Sequence, residues 1–451
     1  MSMLIIKNGV VCLDEGLRKA DLAVENRVIS LIGEALPSSD ADEIIDAGGK
    51  FVLPGLIDIH THLDDVIGGY PLADGYRSGT EAAVRNGITA IATFITQSGQ
   101  ERLGEAIGRA RSKAERNCFT DYFWHLTPTR FDEQGWGDIV TAVDSGFRSI
   151  KLYTTYKHAG IYASYDDIAS LFRRLAGRGV RFLIHCEDEA VLQGIPSDLY
   201  PLREPFTHTL LRPPEAEIVA IERLIGIARA ENARIHIVHV STPEGVELIA
   251  AARGSQSITC ETCPQYIVHS EDVLTRPGGH RWLCSPPLRD EGRRRKLAIY
   301  AGEGSIDLFA TDHCAFTRAD KDRPVSDIRL IPNGVAGIGA LSHIVFDLFR
   351  PRGDQAFRAM ARHCSAAPAE LLGVFPRKGS LRPGADADIA VVDPQGGKRP
   401  VWSSISNVHE TYPDRHSTLS FEHVFLGGRE VVRKNELIPG TEPKGKWLCP
   451  G

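Results

Sequence analysis

From residue 56 the chain repeats one pattern. Short apolar runs of strand length are followed by longer stretches with helical spacing of apolar positions. The strand-like runs fall at 56–63, 90–96, 121–128, 149–155, 181–188, 234–241, 257–264 and 306–313. Helical segments are expected between most of them, at 76–86, 104–117, 165–177, 214–231 and 242–253. The helix from Tyr165 opens on Asp166 and Asp167, and Gly177 and Gly179 end it. Eight strands alternating with helices predict a parallel (β/α)8 barrel, an α/β fold of the TIM type. The flanks have a different rhythm. Residues 1–50 read as short strands, with Asn8-Gly9 as a hairpin turn. Residues 355–372 read as helix, 379–393 return to β-structure, and 422–433 form a hairpin around Gly427-Gly428. The β-rich pieces at the two ends are expected to pair into one small β-sandwich. The expected division is therefore 1–50 and 376–451 for the sandwich and 51–375 for the barrel. The tail after Pro439 is expected to be loose.

Composition removes several function classes. Of 451 residues, 42% are hydrophobic and 24% charged, with a formal net charge of −6. This is an ordinary globular make-up with no basic face for nucleic acid or for a membrane surface. No window approaches the ~20 apolar residues of a membrane span. The apolar run at the N-terminus is too short for a signal peptide. The nine cysteines are scattered and odd in number, as expected for free thiols in a reducing cytoplasm. Cys260 and Cys263 have the spacing of a redox or zinc pair, but no second pair accompanies them, so a structural role is expected.

The chemistry lies where the strands finish. Barrel active sites form at the C-terminal ends of the strands. His60 and His62 end the first strand; being two apart, they point the same way. Lys151 lies in the fourth strand, His185 ends the fifth, His239 the sixth, and Asp312-His313 the eighth. One strand-end histidine is commonly a hydrogen-bonded core residue. Several on one barrel, with a lysine and an aspartate, converge on one cavity. Imidazole and carboxylate are zinc ligands, and an open position lets the metal activate water. Four histidines suffice for two ions, and two close ions need an anionic bridge. A lysine ammonium has no lone pair. A lysine carbamate has two oxygens and a negative charge, and burial of Lys151 would favour the neutral amine that takes up carbon dioxide.

These residues carry a resemblance. His60-Thr-His62-Leu-Asp, Lys151, His185, His239 and Asp312-His313 resemble the ligand set of the amidohydrolase superfamily in its cyclic-amidase branch. Glu261-Thr-Cys-Pro-Gln-Tyr266, Cys284-Ser-Pro-Pro-Leu-Arg289, Thr311-Asp-His-Cys-Ala-Phe-Thr317 and Ile331-Pro-Asn-Gly-Val-Ala-Gly337 are similar to stretches of the dihydropyrimidinase/hydantoinase family. The resemblance runs in order from about residue 50 to 375. It implies two zinc ions per subunit, one on His60, His62 and Asp312 and the other on His185 and His239. Carboxylated Lys151 and a hydroxide would bridge them. It further implies that Tyr156 hydrogen-bonds the oxyanion, that backbone groups at Ser285 and Asn333 hold the ring amide, and that Asp312 shuttles the proton. The implied activity is opening of hydantoins or 5,6-dihydropyrimidines to N-carbamoyl amino acids, in a cytoplasmic homo-oligomer, tetramer or dimer.

The sequence departs from that family at His158 and in the run His185-Cys-Glu-Asp-Glu-Ala190. The loop Asp64-Asp65-Val-Ile-Gly-Gly-Tyr70 and the segment around His158 are expected to shape the pocket around the ring substituent. Allantoinase is the alternative enzyme. Dihydroorotase fits less well, since Leu63-Asp64 stands where its substrate-binding arginine is needed. A non-catalytic scaffold is disfavoured by the intact set of six ligand positions.

Overall fold

The computed structural model describes residues 3–39 and 41–449. Eight parallel strands form the barrel: β1 (Leu56–Thr61), β2 (Ile88–Thr96), β3 (Asp121–Thr127), β4 (Ser149–Tyr153), β5 (Arg181–His185), β6 (Arg234–Ile237), β7 (Ile258–Thr262) and β8 (Leu308–Phe309). They pair in chain order. The ring is joined by a parallel bridge between Thr61 and His313 and by the His62 amide, which donates to the His313 carbonyl at 2.7 Å. Closure thus occurs at the end of the barrel where the candidate site residues lie.

The expected helices are present as Tyr76–Arg85, Leu103–Ala114, Tyr165–Arg174, Pro214–Ala230 and Pro243–Ala252. Ser164 caps the third by accepting from the Asp167 amide, while the Asp167 side chain reaches back to Ser164. The helical reading of 355–372 holds as helix Gln355–Ala361, a π-turn at Arg362–Ala366 and helix Ala367–Leu371. Among the described residues no helix is long and apolar enough to cross a membrane. All nine cysteines are free; Cys260 and Cys263 are both buried.

Both ends of the chain meet in one nine-stranded sheet beside the barrel. The junction is Ile389–Asp393, antiparallel to Phe51–Pro54. Strand alternation lets these short segments serve two cores. Val52, Ile389 and Val391 face the small sheet's own apolar core, and Phe51, Leu53, Ala390 and Val392 face the barrel's. Phe51–Pro54 therefore belongs to the small sheet, and the barrel begins at Leu56. Lys378 ties the two parts electrostatically. Its ammonium pairs with Asp121 on β3 (2.8 Å), with Asp386 (3.2 Å) and with Asp388. These three carboxylates could otherwise hold a metal ion.

Two expectations fail. Asn8-Gly9 is not a hairpin turn but a bulge inside the strand Met3–Leu13, and the chain reverses at Asp14-Glu15. Asn8 takes a left-handed φ of 64°, and its amide donates to Asp21 at 2.9 Å. A Cβ on Gly9 would lie 2.6 Å from Val52, so close packing rather than a turn demands glycine. Nor is the tail loose. Tyr122 donates to the Lys446 carbonyl and accepts from the Leu448 amide, both at 2.9 Å. Trp447 stacks on Trp124 with centroids 5.6 Å apart. One aromatic anchor outweighs the Pro, Gly and Lys content around it.

Candidate metal centre

Seven of the eight expected strands overrun the observed ladders at their C-terminal ends, by one to four residues; the second ends at Thr96 as expected. The chemistry begins where backbone pairing stops. His60 lies in β1, with His62 just beyond it. The ring of Phe94, from β2, lies 4.8 Å from the first and 4.6 Å from the second. Lys151 faces inward with Ser149 and Tyr153, two residues to either side; Ser149 is held by His125 at 2.7 Å. His185 is the last residue of β5. His239 and Asp312 lie past β6 and β8 with φ of 41° and 49°. Left-handed backbone at non-glycine residues is strained, and such strain concentrates at functional sites.

These side chains meet. Asp312 Oδ1 is 3.1 Å from His60 Nε2 and 3.3 Å from His62 Nε2. His185 Nδ1 is 3.0 Å from His239 Nε2. Donor atoms of His60, His239 and Asp312 all lie within 4.8 Å of one another, a group able to hold a metal ion. Lys151, 1% exposed, has its Nζ 5.1 Å from the Phe94 ring centroid and 4.9 Å from that of Tyr153. Among the described residues Nζ of Lys151, Nε2 of His60 and Nδ1 of His239 are buried without a hydrogen-bond partner. Buried polar atoms are rarely left so. Three of them beside one carboxylate fit a site built for cations.

Charge states agree with that fit. Burial pushes His185 down to about 4 against the pull of Glu187, and depresses His62 and His239 as well. These rings are neutral, the form that binds metal. His60 is the exception: burial and Lys151 lower it, but Glu261 and Asp312 together raise it. Burial opposes ionisation of Asp312, yet His60 and His62 hold its carboxyl well below the usual range. Lys151 is lowered to about 8 by burial, with Asp312 and Glu261 opposing.

Two carboxylates that sequence reasoning did not assign orient the histidines. Glu261, on β7, accepts from His60 Nδ1 and, through its other oxygen, from His236 Nε2 at 3.0 Å. In its neutral form, with its one proton on Nδ1 engaged by Glu261, His60 presents the Nε2 lone pair to the cavity. Glu187 accepts from His185 Nε2 at 2.6 Å and is held by Arg212 at 3.0 Å, which leaves His185 Nδ1 for the cavity. Glu187 stands two residues after a strand-end histidine, the one hint its position offered. Glu261→Gln is expected to weaken metal affinity about 10- to 100-fold; chelator competition measures it.

Tyr156 follows β4 in a left-handed conformation, φ 67°. Its ring lies 5.2 Å from His185, beneath the Arg212 guanidinium at 5.0 Å. Burial raises the phenol to about 12 against the pull of Arg212, so it remains a donor. Ser285 Oγ is 3.4 Å from His208 Nε2, which also donates to the Cys284 carbonyl at 2.8 Å. The segment carrying Asn333 runs alongside: the Gly334 amide donates to the Leu283 carbonyl at 2.9 Å. His158 is exposed, its ring 6.1 Å from that of Tyr156.

The Amidohydrolase family pattern matches residues 51–431, most of the chain. The chain belongs to the amidohydrolase family. This amidohydrolase is similar to D-phenylhydantoinase of Escherichia coli O1:K1 / APEC, 32% identical over 397 residues, 87% of this chain and 86% of the relative. Its fold matches dihydropyrimidinase from Brevibacillus agri NCHU1002 with a TM-score of 0.93 at 30% identity, covering 99% of this chain and 98% of the other. D-hydantoinase from a Bacillus sp. AR9 gives 0.93 at 29%, with the same coverage.

Proposed function

We propose that this amidohydrolase opens the ring amide of hydantoins and 5,6-dihydropyrimidines to give N-carbamoyl amino acids. The observation that carries the reading is the buried Lys151 amine, unpartnered among four histidines and Asp312. In the proposed holoenzyme His60, His62 and Asp312 would hold one zinc ion and His185 and His239 a second, and Lys151, as N6-carboxylysine, would supply an anionic ligand. Nitrogen and oxygen donors in this mixture suit zinc. Bound cations would acidify water towards neutral pH and polarise the ring carbonyl.

The protein's own groups supply the rest. Water adds across the carbonyl carbon and the ring nitrogen; the C–N bond breaks, its electrons pass to nitrogen, and a carboxylate and a ureido N–H result, with the carboxylic acid's proton released to solvent. Asp312, ionised and beside His60 and His62, accepts the water's proton and returns it to the leaving nitrogen, which departs poorly unless protonated. Tyr156, a neutral phenol, donates to the developing oxyanion. Tyr156→Phe is expected to lower kcat about 10²- to 10³-fold with metal content unchanged. Backbone groups at Ser285 and Asn333 hold the ring amide; the Gly334 amide bonded to the Leu283 carbonyl at 2.9 Å, which brings the two segments together, supports this placement. The resemblance extends the reading to a cytoplasmic homo-oligomer, dimer or tetramer.

The test is parallel turnover of hydantoin, dihydrouracil, allantoin and dihydroorotate by metal-quantified protein. Hydantoin or dihydrouracil should be opened fastest. Hydrolysis of allantoin alone would replace this reading with an allantoinase. No turnover of any cyclic ureide or imide with saturating zinc would leave a non-catalytic scaffold.

A further inference from the structure

Lys321 is a buried cation that the mechanism above does not use. It ends the short helix Arg318–Lys321 and is 3% exposed. Among the described residues no carboxylate lies within ion-pair distance of its ammonium. An unpaired buried ammonium is costly unless it is tightly engaged. Its one hydrogen bond is to the Leu283 carbonyl, at 3.0 Å, and the Phe316 ring lies 5.9 Å away.

The Leu283 carbonyl is a shared acceptor. It takes the Lys321 ammonium and the Gly334 amide together, at 3.0 and 2.9 Å. Two residues after Leu283 comes Ser285; one residue before Gly334 comes Asn333. A single carbonyl therefore joins the two segments that flank the ring amide in the proposed function. A charged donor makes the stronger bond, and it polarises the acceptor for its second partner. The Thr317 hydroxyl caps the helix by accepting from Asp320, and the Lys321 amide bonds the Thr317 carbonyl at 3.1 Å, so the lysine is carried on the chain just beyond Asp312. Burial lowers its pKa to about 8, with Cys284 and Cys314 opposing, as expected of an amine with no anionic partner.

We propose that Lys321 is a positioning residue for ring binding: by clamping the Leu283 carbonyl it sets the separation between the Ser285 and Asn333 segments. The inference rests on the proposed function. An unclamped pair of segments weakens binding of the ring in ground and transition states alike, which raises KM and spares kcat.

The experiment compares Lys321→Met with wild type on hydantoin and dihydrouracil, with metal content and thermal midpoint measured on the same preparations. Lys321→Met should raise KM about 10- to 100-fold, the scale of one lost charge-assisted hydrogen bond. It should lower kcat less than about threefold, with metal content unchanged. Lys321→Gln, which keeps a donor without the charge, should fall between, and serves as the reading if the methionine variant does not fold. Unchanged KM, metal loss in parallel with KM, or failure of both variants to fold would overturn the inference in favour of simple packing. A wild-type enzyme inert on both substrates would instead defeat the proposed function, and this inference with it.

Discussion

Lys151→Ala is expected to lose bound metal and to lower kcat/KM by about 10³-fold or more. That is the scale of the several kcal/mol that metal-assisted charge stabilisation supplies, at roughly 1.4 kcal/mol per decade. The argument comes from the surroundings of the amine. Lys151 sits over Phe94 and Tyr153 with no hydrogen-bond partner, and burial draws its pKa to about 8. An ammonium there would repel any cation held by His60, His62, His185 and His239. A carbamate would attract two. Alanine removes the anion and leaves a hole that a small carboxylate can enter, so acetate or propionate should restore part of the activity. Full activity of the alanine variant would contradict the mechanism.

Asp312→Asn carries the second large effect. Asparagine keeps the shape and one oxygen but cannot take a proton. Because Asp312 is held ionised by His60 and His62, the wild-type group is ready to accept one. The expected loss in kcat is about 10²- to 10⁴-fold, the range of a positioned acid–base group. Stopped-flow single turnover should place the loss in ring opening, not in product release. A variant within tenfold of wild type would remove Asp312 from the proton path.

Much of this site is written in strand periodicity. Inward-facing alternation put His60 with His62 from the sequence alone. What periodicity could not reveal is what happens after the ladders end. His239 and Asp312 depend on left-handed backbone at φ 41° and 49°, which no apolar pattern encodes. The pairing of His62 with His313 that closes the barrel is a contact between chain ends of the ring, distant in sequence. The sequence assigns no role to Glu261 or Glu187, because those roles lie in which imidazole nitrogen each engages. Asn8-Gly9 misled for a related reason: the same left-handed residue serves a turn or a bulge, and packing against Val52 decides between them.

Native intact-mass measurement combined with metal counting on the purified protein tests the central claim most directly. The account predicts two divalent ions per chain and a mass increment of one carbon dioxide that maps to Lys151. One ion per chain with an unmodified Lys151 would contradict it.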